Sequence, residues 1–317
     1  MLAPPQLAGG PSRVSYALYE ALPMTHAAKA RGCDIVHYPA DTGPLWRSGS
    51  IPVVVTIHGV AALHEPGIRS VPAAKLWLER TRRAALAADL IITVSGSSRT
   101  DIERLVGRPT RRTIEVIPHG VDQETFYVAP SVEIDSVAEK HAVTRAFVLF
   151  VGNIEPRKNI GQLVRAIDLL NHRGTDVELL VVGKPAWKYE ETLRMVAESP
   201  NSRHLGRLPD QEVRALMSGC AAFAFPSRYE GFGLPVLEAL ACGAPVACSR
   251  RGSLSEVAGS LACYADDLGP DAIAASLVEA MALPRSKHRA RAVAHAATFS
   301  WEESARRHKL ALQGALR

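Results

Sequence analysis

Long apolar runs are missing from this 317-residue chain. No stretch approaches the roughly 18 residues that cross a bilayer, so no membrane-spanning helix is predicted. The amino terminus also lacks the charged-then-apolar pattern of a secretion signal, and cytoplasmic residence is expected. Cysteine is scarce: Cys33, Cys220, Cys242, Cys248 and Cys263 form an odd set without C-x-x-C spacing. That set predicts reduced thiols rather than a disulfide framework or a zinc site. Neither a fixed-period repeat nor a low-complexity tract is present, which excludes solenoid, fibrous and disordered classes. A complete G-x-G-x-x-G is missing too. The nearest approach, Gly231-x-Gly233, has Val236 where the third glycine belongs, and this argues against a nicotinamide enzyme.

Apolar residues make up 47% of the chain and charged residues 22%, with a net charge of +5. The positive excess suits anionic ligands such as nucleotides but falls short of a nucleic-acid-binding surface, and no nucleic-acid partner is expected. The length allows about two domains, each with its own core. Short β-branched runs alternate with amphipathic stretches almost from end to end, the rhythm of βα units wound around parallel sheets. Strands are predicted within 34–39, 51–59, 89–95 and 113–118, then in "AFVLFVGNI", "VELLVVGK", "AAFAFPS" and "PVACS". Helices are predicted near 159–173, 189–198 and 210–219, from Pro235 onward, and after a cap at Ser97 or Ser98. Residues 123–145 are polar and lose the alternation, so the linker is placed there. The predicted fold is α/β, with two Rossmann-like parallel-sheet domains facing across a cleft, divided as 1–143 and 144–300, plus a helix over 301–317. In open sheets of this kind ligands bind at the carboxyl ends of strands, so the loops after strands are the places to look for chemistry.

Four such loops stand out. In "FPSRYEGFGLPVLEALACGAPV" (225–246), Glu230 lies at a Gly-rich turn and Glu238 about one turn into the helix opened by Pro235. Gly231, Phe232, Gly233 and Leu234 bring backbone N–H groups to a helix start, where a phosphate or a sugar hydroxyl is attracted. Glu238 can accept two hydrogen bonds from a vicinal diol such as ribose. A tight turn with two solvated carboxylates is the plain alternative. In "FVGNIEPRKNIGQLVRAI", Gly152 ends a strand, Asn153 follows it, and Arg157 with Lys158 precede a helix, an arrangement fit for a diphosphate or simply a basic turn. In "VTIHGV", His58 ends an apolar strand, where it could donate to a sugar hydroxyl or a phosphate, or be structural. In "LAGGPSRVSYALYEAL", Gly9 and Gly10 open an amphipathic stretch at 12–22 and offer amides to an anion.

Together these stretches resemble the retaining glycosyltransferases of family 4, which have the GT-B architecture. The resemblance rests on E-x7-E at Glu230 and Glu238, on the G-x-x-x-P-R-K-N loop, and on "VIPHGVD" at 116–122. It spans nearly the whole chain. It implies a nucleotide-diphospho-sugar donor, held mainly by the carboxy-terminal lobe. Glu230 and the amides of 231–233 would hold the donor sugar, Glu238 the ribose, Lys158 with Arg157 the diphosphate, and His58 the sugar from the other lobe. The family's arginine after the phosphate-loop glycine is here Asn153, whose missing charge Arg157 is expected to supply. The implied chemistry retains anomeric configuration without a metal: the acceptor attacks on the face the diphosphate leaves, and that phosphate takes the proton. No D-x-D triplet follows any strand, in keeping with that route. "LVVGKPAW" resembles the mannosyltransferase branch, favouring GDP-mannose over a UDP-sugar as donor, with a saccharide or lipid-linked acceptor.

The chain departs from the family at its start. Met1 stands eight residues before Gly9, so the first strand is expected to be missing, with either a start further upstream or a reduced lobe. A catalytically impaired protein acting as a nucleotide-sugar binding or scaffold module is therefore the competing reading. A last question concerns 73–88. There Leu76, Trp77 and Leu78 lie beside Arg80, Arg82 and Arg83, which reads either as contact with an anionic membrane face or as an outer helix packed on the sheet.

Overall fold

The computed structural model describes residues 24–65, 71–107 and 113–316. The chain folds as two compact units, one formed by 1–118 with 302–317 and the other by His119–Trp301. Among the described residues the first unit runs α1 (Thr25–Ala30), β1 (Val36–Tyr38), β2 (Val53–Ile57), α2 (Val71–Ala87), β3 (Leu90–Thr93), α3 (Gly96–Val106) and β4 (Thr113–Val116). Its strands are all parallel, in the order β1-β2-β3-β4. β2 and β3 are buried along their whole length, which is why they read as unbroken Val/Ile runs rather than as an alternation. One face packs Val53, Val55, Ile57 and Ile91 against Ala84, Ala85 and Ala88 at the end of α2.

Trp77 and Leu78 also pack against that core, while Leu76 is exposed. Two of the three apolar residues considered for membrane contact over 73–88 are thus used by the fold, and α2 is an outer helix of the sheet. No helix among the described residues is long and apolar enough to cross a membrane. The cap of α3 is Ser95 rather than Ser97 or Ser98: its hydroxyl accepts from the Ser98 N–H at 3.0 Å. The helix therefore starts earlier than the polar Ser pair suggests.

The second unit runs α4 (Ser131–Lys140), β5 (Phe147–Val151), α5 (Ile160–His172), β6 (Glu178–Val182), α6 (Glu190–Glu198), β7 (Ser202–Gly206), α7 (Asp210–Gly219), β8 (Ala222–Phe225), α8 (Leu234–Ala241), β9 (Val246–Ser249), α9 (Leu254–Ala258), β10 (Ala262–Ala265), α10 (Pro270–Met281) and α11 (Arg285–Ala296). Its sheet has the order β10-β9-β8-β5-β6-β7, all parallel. The chain lays β6 and β7 on one side of β5, then returns to lay β8, β9 and β10 on the other. The direction reverses between β5 and β8, the position at which open sheets of this kind form a ligand crevice at the carboxyl ends of their strands.

Residues 123–145, expected as a linker, contain α4. Charge holds this helix to the second unit: Arg214 pairs with Glu133 at 2.6 Å, and Glu212 pairs with Lys140 at 2.7 Å and with His141 at 2.6 Å. The division of the chain accordingly falls at Pro118/His119 rather than at 143/144. The helix α12 (Trp301–Ala315) carries the chain back into the first unit. There Ala311, Leu312 and Ala315 cover the other sheet face, formed by Val54, Leu90 and Ile92, and Arg307 donates to the Val116 carbonyl.

Candidate functional site

The crevice between β5 and β8 collects the charged residues that the sequence singled out. After β5 the chain turns at Gly152 and passes through a short 3₁₀ turn, Pro156–Lys158. Asn159, in the left-handed region at φ 59°, then starts α5. Its side chain does not cap the helix; it donates instead to the Leu268 carbonyl at 3.0 Å. After β8 the chain turns through Ser227–Gly233 and enters α8, with Pro235 in the first turn.

Lys158 and Glu230 meet across these two loops, with Lys158 Nζ donating to Glu230 Oε1 at 2.6 Å. Both residues are buried. The ammonium also lies 4.6 Å from the centre of the Phe225 ring, on the last residue of β8. Burial lowers the Lys158 pKa, and Glu230 opposes that only in part. For Glu230, burial alone would raise the pKa, but Lys158 and then Arg157 outweigh it and hold the carboxyl below its usual range. An ionised carboxylate shared by two cations is the result.

Arg157 is differently placed from the expectation of a free phosphate clamp. Its guanidinium reaches Glu230 Oε1 at 2.8 Å, donates to the Tyr229 carbonyl at 2.6 Å and donates to Glu155 Oε1 at 2.6 Å. The other oxygen of Glu155 accepts from Trp187 Nε1 at 2.7 Å. Arg157 therefore braces the Tyr229–Glu230 turn, while Lys158, the more buried of the two cations, shares the same Glu230 oxygen.

In the same unit lies a cavity of 470 Å³ bordered by Gly152, Asn153, Gly183, Asp210 and Glu238. That volume is in the range of small-molecule sites. Glu238 projects from α8, and among the described residues no side-chain or backbone group is recorded hydrogen-bonding its carboxyl. Burial, with a smaller push from Asp210, raises its pKa to about 7. A carboxyl so placed is ready to exchange its proton for hydroxyl partners. Gly183 lets the cavity floor close: a Cβ there would lie 1.9 Å from the Gly152 carbonyl oxygen, at φ +146°. Gly183→Ala is expected to lower the melting temperature by about 5 °C or more, because main chain rather than a flexible side chain stands in the way. An unchanged melting curve would show that the two strand ends need not touch.

In the first unit His58 follows β2. Its Nε2 lies 2.9 Å from the Pro39 carbonyl, to which it donates, and its backbone N–H donates to Asp41 Oδ1 at 2.6 Å. The ring is thus oriented by the turn after β1. Gly9 and Gly10 lie outside the described residues. A larger opening of 650 Å³ lies in the first unit beside β4 and α12, lined partly by Ala311, Gly314 and Ala315. None of the predicted site residues borders it.

Sequence reasoning missed Glu155, Trp187, Gly183 and Asp210. Gly183 had a signal, since "VVGK" after β6 repeats the strand-then-glycine pattern of "FVGN" after β5. Glu155 and Trp187 had none, as their contact depends on two loops folding together.

The family model for glycosyl transferases group 1 matches residues 131–298, and the model for glycosyltransferase family 4 matches residues 3–125. O-antigen chain mannosyltransferase B of Escherichia coli is 34% identical over 235 residues, which is 71% of this chain and 61% of that protein. A GDP-mannose-dependent alpha-(1-6)-phosphatidylinositol monomannoside mannosyltransferase of Mycolicibacterium smegmatis is 32% identical over 286 residues, 85% of this chain and 72% of that one. The chain thus spans 61% to 72% of these two relatives' lengths. Among solved structures, sucrose-phosphate synthase from Thermosynechococcus elongatus superposes with a TM-score of 0.75 at 19% identity, covering 91% of this chain and 75% of that one. Anabaena HepE in complex with UDP and glucose superposes at 0.71 and 21% identity, covering 91% and 80%. At such identities the likeness concerns the fold, which is GT-B with two parallel-sheet α/β domains.

Proposed function

The chain belongs to the glycosyl transferases group 1 family, and from that membership we propose that it is a glycosyltransferase moving a hexose from a nucleotide-diphospho-sugar to a saccharide or lipid-linked acceptor. The observation that carries this reading is the buried Lys158–Glu230 pair at the β5/β8 crevice, in the same unit as the cavity bordered by Glu238. A cation held by a carboxylate supplies charge for a diphosphate, and the unpartnered carboxyl of Glu238 supplies acceptors for a ribose diol. Mannose is the favoured sugar and GDP-mannose the favoured donor, since both mannosyltransferases above share about a third of their aligned residues with this chain.

Donor binding brings the diphosphate to Lys158 and to the first amides of α5, which no side chain caps. Glu230 then turns part of its hydrogen bonding toward the sugar. As the glycosidic bond breaks, charge builds on the departing diphosphate, and Lys158 with the helix amides stabilises it there. The acceptor hydroxyl attacks on the face from which the diphosphate leaves, and a phosphate oxygen takes its proton, so configuration is retained without a metal.

A panel of radiolabelled GDP-mannose, UDP-glucose and a UDP-amino sugar, offered with polyprenyl-linked and free saccharide acceptors, tests the proposal. Transfer or donor hydrolysis with GDP-mannose above the others is expected. Folded protein that binds nucleotide yet neither transfers nor hydrolyses any donor would favour the binding or scaffold reading instead.

A further inference from the structure

The segment between β9 and α9, "SRRGS" (249–253), takes no part in the site as described, yet it is built against the donor loop. Ser253 is fully buried. It stands at the amino end of α9, where a serine ordinarily caps, but its side chain makes no cap hydrogen bond. Its hydroxyl donates to the Phe232 carbonyl at 2.6 Å, with the Glu230 carbonyl 3.1 Å from the same oxygen. Its backbone N–H also donates to the Glu230 carbonyl, at 3.1 Å. Gly252, at φ +60°, brings the main chain close beneath: a Cβ there would lie 2.2 Å from the Glu230 carbonyl oxygen. Two carbonyls of the donor loop are thus drawn to one side by one residue.

In a planar trans peptide the C=O and N–H point in opposite directions. Pulling the carbonyls of Glu230 and Phe232 toward Ser253 therefore turns the N–H groups of Gly231 and Gly233 the other way, away from the 249–253 segment. The Gly233 N–H is one of the amides that the resemblance to family 4 implies would hold the donor's sugar. We infer that Ser253 is a positioning residue for donor recognition, its hydroxyl on the Phe232 carbonyl orienting the Gly233 amide before the donor arrives. This inference rests on the proposed function, because it presumes that this amide faces a nucleotide-diphospho-sugar. It predicts a specific loss: recognition of the sugar-diphosphate part should suffer while recognition of the nucleoside part, in the Glu238 cavity, stays intact.

The test uses the full chain and titration calorimetry with GDP-mannose and with GMP. Ser253→Ala is expected to weaken GDP-mannose by about tenfold, the scale of one or two hydrogen bonds, and to leave GMP unchanged. Ser253→Thr and Ser253→Val add the same volume to the buried site and differ only in the hydroxyl. Threonine should bind GDP-mannose better than valine by a similar factor, with equal GMP affinity, even if both are less stable than the parent protein. Equal weakening of GMP and GDP-mannose, or no difference between threonine and valine, overturns the assignment. If the parent protein binds neither ligand while remaining folded, the nucleotide-sugar reading fails first; if it binds both and the Ser253 variants match it, only the positioning role fails.

Discussion

Glu230→Ala is expected to reduce hexose transfer by at least about 100-fold, the scale seen when one preorganised electrostatic partner is removed from an active site. It should also destabilise the folded protein by about 3 kcal/mol or more, because breaking a buried ion pair leaves charge uncompensated. Here two cations lose their shared partner: Lys158 at 2.6 Å and Arg157 at 2.8 Å. Arg157 keeps Glu155 and the Tyr229 carbonyl, whereas Lys158 keeps, among the described residues, the face of Phe225 and a weaker pull from Glu155. Burial already lowers the Lys158 pKa, so the variant should release the Lys158 proton more readily than the parent. Glu230→Gln, which preserves shape, should regain part of the stability and little of the activity. Chemical denaturation alongside transfer assays separates the two effects. Full transfer by a folded Glu230→Ala protein would remove Glu230 from the donor site.

Glu238→Gln should act in opposite directions on stability and on binding. The Glu238 pKa is raised from 4.5 to about 7 by burial and by Asp210. Between those values the folded state holds a proton that the unfolded state has lost, so this group makes stability fall as pH rises from 4.5 to about 7 and adds no further change above that. Glutamine removes the penalty. The ligand-free variant is expected to be more stable than the parent at pH 8 by up to about 3 kcal/mol, and equal to it at pH 4 apart from small packing effects. Ribose binding favours the ionised carboxylate, which accepts from both hydroxyls. Affinity of the parent for GDP-mannose should therefore rise between pH 6 and pH 8, with the steepest change near 7, while the glutamine variant binds weakly with a flat profile. A parent profile as flat as the variant's would show that Glu238 does not titrate in contact with the donor.

The carboxylates at 230 and 238 and the cations at 157 and 158 were legible because their chemistry is carried by local signals. Glycines break the strand, proline opens the helix, and the charges stand beside those turns. What each charge does was not legible. Arg157 reads as a diphosphate ligand from its place next to Lys158, yet the fold commits it to Glu155, Glu230 and a carbonyl. The α4 helix was hidden for a related reason: its apolar periodicity is weak, no residue in it is buried, and ion pairs to α7 hold it in place. β10, four residues long with only two of them buried, carries too short a pattern to stand out. Ser253 gives no sign at all in one dimension, since its partners lie 21 and 23 positions away.

Taken alone, the sequence determined the succession of βα units, the two-sheet architecture and the acidic and basic residues at the strand ends, because hydrophobic period and turn chemistry act over a few neighbouring residues. Only the tertiary structure decided that Lys158 and Glu230, 72 positions apart, form one buried pair, that Arg157 serves as a brace, and that Glu238 stands unpartnered in a cavity. The physical reason is the reversal of strand order between β5 and β8, which joins loops distant in the chain inside a region poor in water. Charge, burial and hydrogen bonding there are settled jointly by groups that no short stretch of sequence contains.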